Sequence, residues 1–194
     1  MKYIIGIDEV GRGSLAGPLF VSAVAIPTNL RFKESLKDSK KLSPKQREEW
    51  FKKIKSHPKI NFTISKIYPR AIENKNVSKA ANLAALRAFK RLTSNFQRLT
   101  SSTSVFLDGG LYLGNGQNRI PAKTVIRGDE KITAIKIASI IAKVSRDSLM
   151  ARLAKKYPKY KFEVHKGYGT KRHIQAIKKF GPSKIHRRSF LRFI

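Results

Sequence analysis

Five short apolar runs, separated by polar stretches with glycine or proline, predict the strands of this chain. The run at 19–26 is almost wholly apolar, which is typical of a strand covered on both faces. The run at 61–67 alternates apolar with polar residues and predicts a strand with one solvent-facing side. The other three runs, at 3–7, 105–107 and 124–126, each lead within a few residues to a carboxylate and a glycine. The first two strands in the chain are expected to form a meander.

Four stretches carry apolar residues at helical spacing. A capping box joins Ser43 to Gln46, with Pro44 at the first helical position. Thr170 caps the last helix, which closes on a glycine and a proline. The second helix is followed by a polar connector over 94–104. The predicted helices extend over 44–57, 79–92, 132–156 and 171–180.

Strands in series with helices among them predict an α/β domain with a mixed β-sheet flanked by helices. At 194 residues the chain is long enough for one domain with a full core, and two would be small. We therefore predict a single domain over 1–194. Its core extends over about 1–156, and a C-terminal helical extension covers about 157–194. Small residues in the helix over 132–156 would let it lie close to the sheet.

The charge of the chain narrows the choice of partner. Lysine and arginine number 42 against 12 aspartate and glutamate residues, for a formal net charge of +30. A polyanion such as nucleic acid would compensate for this self-repulsion. Cysteine is absent and the four histidines have no HxxxH or HxH spacing, which argues against a thiolate or zinc site. Without a membrane-length apolar run or a signal peptide pattern, we expect a cytoplasmic protein that binds no membrane.

Four carboxylates stand at the ends of apolar runs or just past them: Asp8, Glu9, Asp108 and Asp129. Because aspartate before glycine is a common turn pair, one of them alone could be a turn residue. Three runs that end in the same way favour a shared site instead. Clustered Asp and Glu without His or Cys select hard cations, Mg²⁺ or Mn²⁺. In a strongly cationic chain this indicates phosphodiester chemistry, in which two such ions activate a water and stabilise the leaving oxygen.

Asp8 and Glu9 are neighbours, and neighbouring side chains on a strand point to opposite faces of the sheet. They can share a metal site only if regular pairing of the strand ends near Asp8. Gly11 and Gly13 favour such a departure, because glycine adopts backbone conformations that other residues avoid.

A series of motifs, in the same order, resembles ribonuclease HII and covers nearly the whole chain. The matching stretches are 8–13 with 15–18, 38–43, 107–109, 127–129, 138–144 with 146–147, 165–168 and 186–190. The chain departs from the family at Gly110, where asparagine is common, and over 72–77, which matches only loosely. Neither departure touches a catalytic position.

The resemblance implies a ribonuclease-H-like fold and an endonuclease that cuts the RNA strand of RNA–DNA hybrids. It also implies incision 5′ of single ribonucleotides embedded in duplex DNA, leaving a 5′-phosphate and a 3′-hydroxyl. Such an enzyme serves in ribonucleotide removal and RNA primer processing, uses Mn²⁺ or Mg²⁺, and is expected to be a monomer. The four family carboxylates fall on Asp8, Glu9, Asp108 and Asp129. Asp147 lies on the long helix, where we expect a structural role, through capping or through pairing with Arg146 or Lys143.

In the family, the ribose 2′-hydroxyl is sensed by the backbone of a Gly-Arg-Gly turn and by a tyrosine. These fall here on Gly11, Arg12, Gly13 and Tyr168. The 2′-hydroxyl distinguishes RNA from DNA at a single position, and glycines let main-chain groups approach the sugar closely. Phosphate contacts, which position the duplex without reading its sequence, are expected from Ser39, Lys40, Lys41, Arg187 and Arg188.

Two other classes of protein fit part of this pattern. A non-catalytic basic nucleic-acid-binding protein, such as a ribosome-associated factor, would explain the charge but not four placed acids. A ribonuclease-H-like nuclease with another substrate, such as a resolvase, would explain the acids. The Gly-Arg-Gly and Lys-Gly-Tyr matches argue against that second alternative.

Overall fold

A computed structural model describes residues 2–32, 34, 36–96, 103–114, 117 and 119–193. In these residues the chain forms one mixed sheet of five strands with helices on both faces. The strands are β1 (Tyr3–Val10), β2 (Leu19–Pro27), β3 (Asn61–Ile67), β4 (Ser104–Asp108) and β5 (Lys123–Val125). The helices are α1 (Pro44–Lys55), α2 (Pro69–Lys75), α3 (Val77–Asn95), α4 (Gly128–Lys131), α5 (Thr133–Lys156), α6 (Phe162–His165) and α7 (Lys171–Phe180). The predicted α/β class is confirmed. None of the helices in these ranges is both long and apolar enough to cross a membrane.

The strand order in the sheet is β3-β2-β1-β4-β5. β1, β2 and β3 form an antiparallel meander, as predicted for the first two strands, whereas β1, β4 and β5 run parallel. The three parallel strands therefore end at the same edge of the sheet. This edge receives Asp8 and Glu9 from β1 and Asp108 from β4.

β1 loses its two neighbours at different residues. Its pairing with β4 ends at Ile7, opposite Leu107, whereas its pairing with β2 continues to Val10, opposite Phe20. The prediction that regular pairing ends near Asp8 is therefore right on the side of β4 and wrong on the side of β2. The last three residues of β1 have one paired edge and one open edge. Side chains from both faces of the strand can flank the open edge.

The two faces of the sheet are covered by different helices, and the residues of β1 alternate between them. Ile7 packs with the alanine-rich side of α3. A Cβ built on Gly6 would collide with the backbone of Ala134 in α5, so only glycine allows this close approach. By the same alternation, Asp8 lies on the side of α5 and Glu9 on the side of α3.

Four helices, α1, α3, α5 and α7, begin and end within three residues of their predicted positions. The capping box of α1 is present, because the Ser43 hydroxyl accepts from the N–H of Gln46 and the Gln46 side chain accepts from the N–H of Ser43. The sequence does not predict α2, α4 and α6, which are too short to display a helical period. Residues 97–102 of the predicted polar connector lie outside the described residues.

The C-terminal elements pack on the turn that follows β1. The N–H groups of Leu15 and Ala16 donate to the carbonyl of Gly167 (2.8 and 3.2 Å), and the N–H of Gly17 donates to the carbonyl of Ile185 (2.8 Å). Residues from α5, α6 and α7 join the same turn in a separate apolar cluster. The predicted helical extension therefore fixes the loop after α6 against the turn after β1. The division of the chain into one domain stays a prediction.

Candidate active site

The carboxyl ends of β1 and β4 open into a cleft of about 360 Å³. Six of the side chains predicted from the sequence line it: Asp8, Glu9, Ser39, Lys40, Asp108 and Tyr168. Asp129 joins them through Lys40, whose Nζ donates to Asp129 Oδ2 (2.7 Å). The structure therefore brings the four predicted carboxylates and the predicted tyrosine together.

Backbone N–H groups orient two of the carboxylates. Asp8 is 5% exposed, and its Oδ1 accepts from the N–H of Glu9 (2.7 Å). Oδ1 of Asp108 accepts from the N–H of Gly128 (2.6 Å). Because Gly128 begins α4, the turn that carries Asp129 also orients Asp108.

Burial and mutual repulsion raise the pKa values of three of these acids. Burial is the main reason why the pKa of Asp8 lies well above its usual value, and the charges of Glu9 and Asp108 raise it further. Burial also raises the pKa of Glu9, although the Arg12 guanidinium, 3.4 Å from Oε1, opposes the shift. The pKa of Asp108 is raised by burial and then by the charge of Asp129. The cleft therefore holds negative charge that the surrounding protein does not fully compensate.

This set of oxygen ligands fits a hard divalent cation. Oε2 of Glu9 is buried and has no hydrogen-bond partner within the part of the chain that the structure describes. Carboxylate oxygens are ligands that Mg²⁺ and Mn²⁺ prefer, and a cation would relieve the repulsion around Asp8 and Asp108. Across the described ranges, no three His, Asp or Glu side chains are already gathered into a coordinating group.

Lys40 compensates part of the negative charge. It lies in a short 3-10 helix, Ser39–Lys41, whose Asp38 cap accepts from the N–H of Lys40 (3.0 Å). Its ammonium donates to Asp129, and this hydrogen bond raises the pKa of Lys40. Because the Lys40 side chain is 76% exposed, it can turn from Asp129 toward a bound anion.

A buried arginine that sequence reasoning did not assign to the site holds the Gly-Arg-Gly turn. Arg146 is 0% exposed, and it leaves no room for a Cβ on Gly11, which also has a positive φ of 86°. The Arg146 guanidinium donates to the carbonyls of Ala16 (3.1 Å), Pro18 (2.9 Å) and Lys166 (2.9 Å) and to the hydroxyl of Ser14 (2.8 Å). It therefore ties the turn after β1 to the loop that carries Tyr168.

Arg187 has a different role from the predicted phosphate contact. It is 0% exposed, and its guanidinium donates to the carbonyls of Arg12 (2.8 Å) and Gly17 (2.9 and 3.1 Å). Burial lowers the pKa of Arg187 to about 9. A direct phosphate contact does not fit this burial, so the prediction for Arg187 is corrected to a residue that fixes the turn. Arg188 and Lys41 are exposed, and their phosphate contacts stay predictions.

Tyr168 is half-buried at the wall of the cleft, in the loop between α6 and α7. The Arg146 guanidinium carbon lies 5.2 Å from the centre of its ring, and Lys143 Nζ lies 5.7 Å from it. Two cations thus contact the ring of a tyrosine that lines the cleft.

Three polar side chains that were not predicted from the sequence as site residues also line the cleft: Arg47, Ser139 and Lys143. Ser139 hydrogen-bonds to Asp8, which lowers the pKa of Asp8, and its Oγ lies 2.7 Å from that of Ser39. The sequence did contain a pattern that could have indicated two of these residues, because Ser139 and Lys143 stand four residues apart and so lie on one face of α5. Lys143 also pairs with Asp147 (3.0 Å), one of the two structural partners expected for that residue.

The fold is similar to that of several solved ribonucleases H. The ribonuclease H2 of Pyrococcus horikoshii matches with a TM-score of 0.71 and 24% identity, over 96% of this chain and 93% of that chain. Bst-RNase HIII, solved in complex with Mn²⁺, matches with a TM-score of 0.75 and 17% identity, over 97% of this chain and 64% of that chain. The RNase HII of Archaeoglobus fulgidus, solved as a PCNA complex, has a TM-score of 0.69 and 24% identity, over 98% and 94%. At these identities the likeness shows the fold.

The sequence comparisons identify the family. A family model for Ribonuclease HII matches residues 5–193. Ribonuclease HII of Caldicellulosiruptor bescii is 42% identical over 193 residues, covering 100% of this chain and 88% of that protein. Ribonuclease HII of Chlamydia pneumoniae is 43% identical over 187 residues, covering 96% and 82%. The chain belongs to the ribonuclease HII family, whose members are divalent-metal-dependent hydrolases that cut the RNA of RNA–DNA hybrids.

Proposed function

We propose that this chain incises duplex DNA on the 5′ side of a single embedded ribonucleotide, in addition to cutting RNA–DNA hybrids. The products are a 5′-phosphate and a 3′-hydroxyl. The observation that most supports this proposal is that Tyr168 lines the same cleft as Asp8, Glu9 and Asp108. A group able to contact one ribose thus stands next to the acids that act on the neighbouring phosphate. The enzyme would serve ribonucleotide removal and RNA primer processing, as a cytoplasmic monomer.

The residues that would hold Mn²⁺ or Mg²⁺ are Asp8, Glu9, Asp108 and Asp129. The bound cation would supply activation of the attacking water and stabilisation of the leaving 3′-oxygen. Two ions fit four carboxylates better than one, because these acids repel one another: the charges of neighbouring acids add to burial in raising the pKa values of Asp8 and Asp108. The hydroxyl of Ser139 and the backbone N–H groups keep the acids oriented before the substrate arrives.

The other groups of the cleft position the substrate. The ammonium of Lys40 can donate its hydrogen bond to a phosphate oxygen in place of Asp129. Ser39 lies beside Lys40 in the same short helix. The turn Gly11–Gly13 presents main-chain groups to the ribose, and the Tyr168 ring packs on the next sugar. Lys41 and Arg188 extend the contact along the duplex backbone without reading its sequence.

Asp129→Asn, with Asp147→Asn as its matched control, tests the choice of the fourth carboxylate. We expect Asp129→Asn to lower the cleavage rate by at least about 10²-fold, because a charged ligand is lost. Asp147→Asn should cleave within about 3-fold of the wild type, because Asp147 does not line the cleft and pairs with Lys143 at an i,i+4 spacing on α5. The measurement is the single-turnover rate on a labelled RNA–DNA hybrid. Undiminished cleavage by Asp129→Asn would show that the assignment is wrong.

Tyr168→Ala and Tyr168→Phe separate the roles of the ring and the hydroxyl. Loss of one stacking contact is worth about 1–3 kcal/mol, so Tyr168→Ala should slow cleavage at a lone ribonucleotide about 10-fold or more. Its affinity for the duplex should change by less than about 3-fold, because phosphate contacts dominate binding. Tyr168→Phe should lie between Tyr168→Ala and the wild type in rate. Equal losses of rate and affinity would mean that Tyr168 only supports the fold.

A further inference from the structure

Three of the four histidines lie buried together next to the loop that carries Tyr168, and the proposed chemistry does not use them. His165, His173 and His186 are 7%, 0% and 4% exposed. The rings of His165 and His173 stack with their centres 4.2 Å apart, and Phe162 packs edge-on against both. The cluster joins α6, α7 and the segment after α7.

The hydrogen bonds fix which nitrogen of each ring carries the proton. Nδ1 of His173 lies 2.9 Å from the carbonyl oxygen of Tyr168, which can only accept, so Nδ1 of His173 carries the proton. The backbone N–H of Ser183 points at Nδ1 of His186 (2.8 Å) and can only donate, so Nδ1 of His186 accepts. The proton of a neutral His186 is therefore on Nε2.

The tautomers assigned to His173 and His186 are consistent with the contact between the two rings. Nε2 of His186 and Nε2 of His173 are 3.0 Å apart, and one donor facing one acceptor is what the two tautomers supply. The result is a chain of hydrogen bonds in a single direction, from Ser183 through His186 and His173 to Tyr168. His165 is fixed in the same way, because it accepts from the N–H of Gly167 and donates from Nε2 to a carbonyl.

We propose that His173 and His186, as neutral imidazoles in opposite tautomers, are positioning residues that hold Tyr168 in place for ribose-dependent cleavage. The proposal rests on the function proposed above for Tyr168. The N–H of Thr170 also donates to the Tyr168 carbonyl (2.8 Å), so the start of α7 and the histidine chain fix the same oxygen. The backbone of Tyr168 is thereby tied to the segment that also carries Arg187.

Protonation of His173 would break the chain at its contact with His186, because two N–H donors would then face each other. Burial lowers the pKa values of both His173 and His186 to about 4. Burial also lowers the pKa of His165. The charge of Glu163 raises this pKa, whereas the charges of Arg172 and Lys166 lower it further. The rings of His173 and His186 face one another and His165. Burial therefore favours the neutral form of all three rings.

The tautomers are tested on the unmodified protein by ¹⁵N–¹H correlation spectra of the histidine rings at about pH 6, where a free imidazole is more than half protonated. We expect a neutral ring with its proton on Nδ1 for His173. Neutral rings with the proton on Nε2 are expected for His165 and His186. A charged ring, or a His173 proton on Nε2, would overturn the proposal.

The positioning role is tested with His186→Gln and His186→Asn on the duplex with one ribonucleotide. A glutamine amide reaches the Nε2 position and can still donate to His173, whereas an asparagine amide overlaps only Nδ1 and cannot reach it. We expect His186→Asn to lower kcat about 10-fold at an unchanged KM, and His186→Gln to retain most of kcat. Equal kcat values for the two variants would overturn the proposal. If the wild type shows the tautomers but does not cut this duplex, the proposed function fails and the hydrogen-bond chain stands.

Discussion

Asp8→Asn is expected to lower the rate of hybrid cleavage by about 10³-fold, the largest loss of any single change in the cleft. Asp8 is buried, its pKa is raised by burial and by two neighbouring acids, and it hydrogen-bonds to Ser139. Asparagine keeps the shape and an acceptor but removes the charge that would hold a cation. The measurement is single-turnover cleavage in Mn²⁺. The matched control is Glu130→Gln, an exposed acid next to Asp129, which should cleave like the wild type.

The same variant separates function from stability. Since the folded-state pKa of Asp8 is raised, the carboxyl favours folding at low pH. This contribution is lost as the pH rises from the unfolded value through the raised one. In chelator at neutral pH, Asp8→Asn should therefore be at least as stable as the wild type. Saturating Mn²⁺ should raise the free energy of unfolding of the wild type by about 3 kcal/mol and that of Asp8→Asn by much less. A cleavage-competent Asp8→Asn, or one that Mn²⁺ stabilises equally, would contradict the assigned site.

Arg146→Met is expected to lower the free energy of unfolding by about 3 kcal/mol, more than any other substitution proposed above. Three carbonyl oxygens and the Ser14 hydroxyl would lose their charged donor inside the protein. Removing a buried cation recovers part of this free energy, which is why the expected loss is smaller than the sum of the hydrogen bonds. Arg146→Lys keeps the charge but not the fork of donors, and should be nearly as destabilising.

The measurement for Arg146 is urea unfolding, with Arg152→Met as the control. Arg152 is exposed on the same helix, α5, and its loss should change the free energy of unfolding by less than about 0.5 kcal/mol. Below its unfolding midpoint, Arg146→Met should still cut a lone ribonucleotide poorly, because the loop with Lys166 and Tyr168 is released. A loss of stability under about 1 kcal/mol would mean that Arg146 does not hold the turn.

The parts of the site that lie at the ends of apolar runs could be predicted from the sequence. Asp8, Glu9 and Asp108 each follow a local pattern, and parallel strands bring such ends to one edge. Asp129 lies beyond the end of its strand, on the short helix α4, and it was predicted because its apolar run repeats the pattern of the other two. The way in which Asp8 and Glu9 reach one cleft could not be predicted, because it depends on where the strand pairing ends. The pairing of β1 with β4 ends at an earlier residue than its pairing with β2.

Contacts between distant parts of the chain could not be predicted from local composition. Arg187 and Arg188 are adjacent in a basic stretch, yet the first is buried and the second is exposed. One partner of Arg187 is the carbonyl of Arg12, 175 residues away, and no local pattern encodes such a contact. Arg146 was hidden for the same reason, since its acceptors lie up to 132 residues away in the chain.

The most direct test is cleavage of an end-labelled DNA duplex that contains one ribonucleotide, alongside an all-DNA duplex of the same sequence. Each is incubated with Mg²⁺, with Mn²⁺ and with chelator. We expect one incision on the 5′ side of the ribonucleotide with a divalent ion, and no cutting of either duplex in chelator. The all-DNA duplex should stay intact throughout. Cleavage in chelator, or equal cutting of the all-DNA duplex, would contradict a metal-dependent nuclease that senses a single ribose.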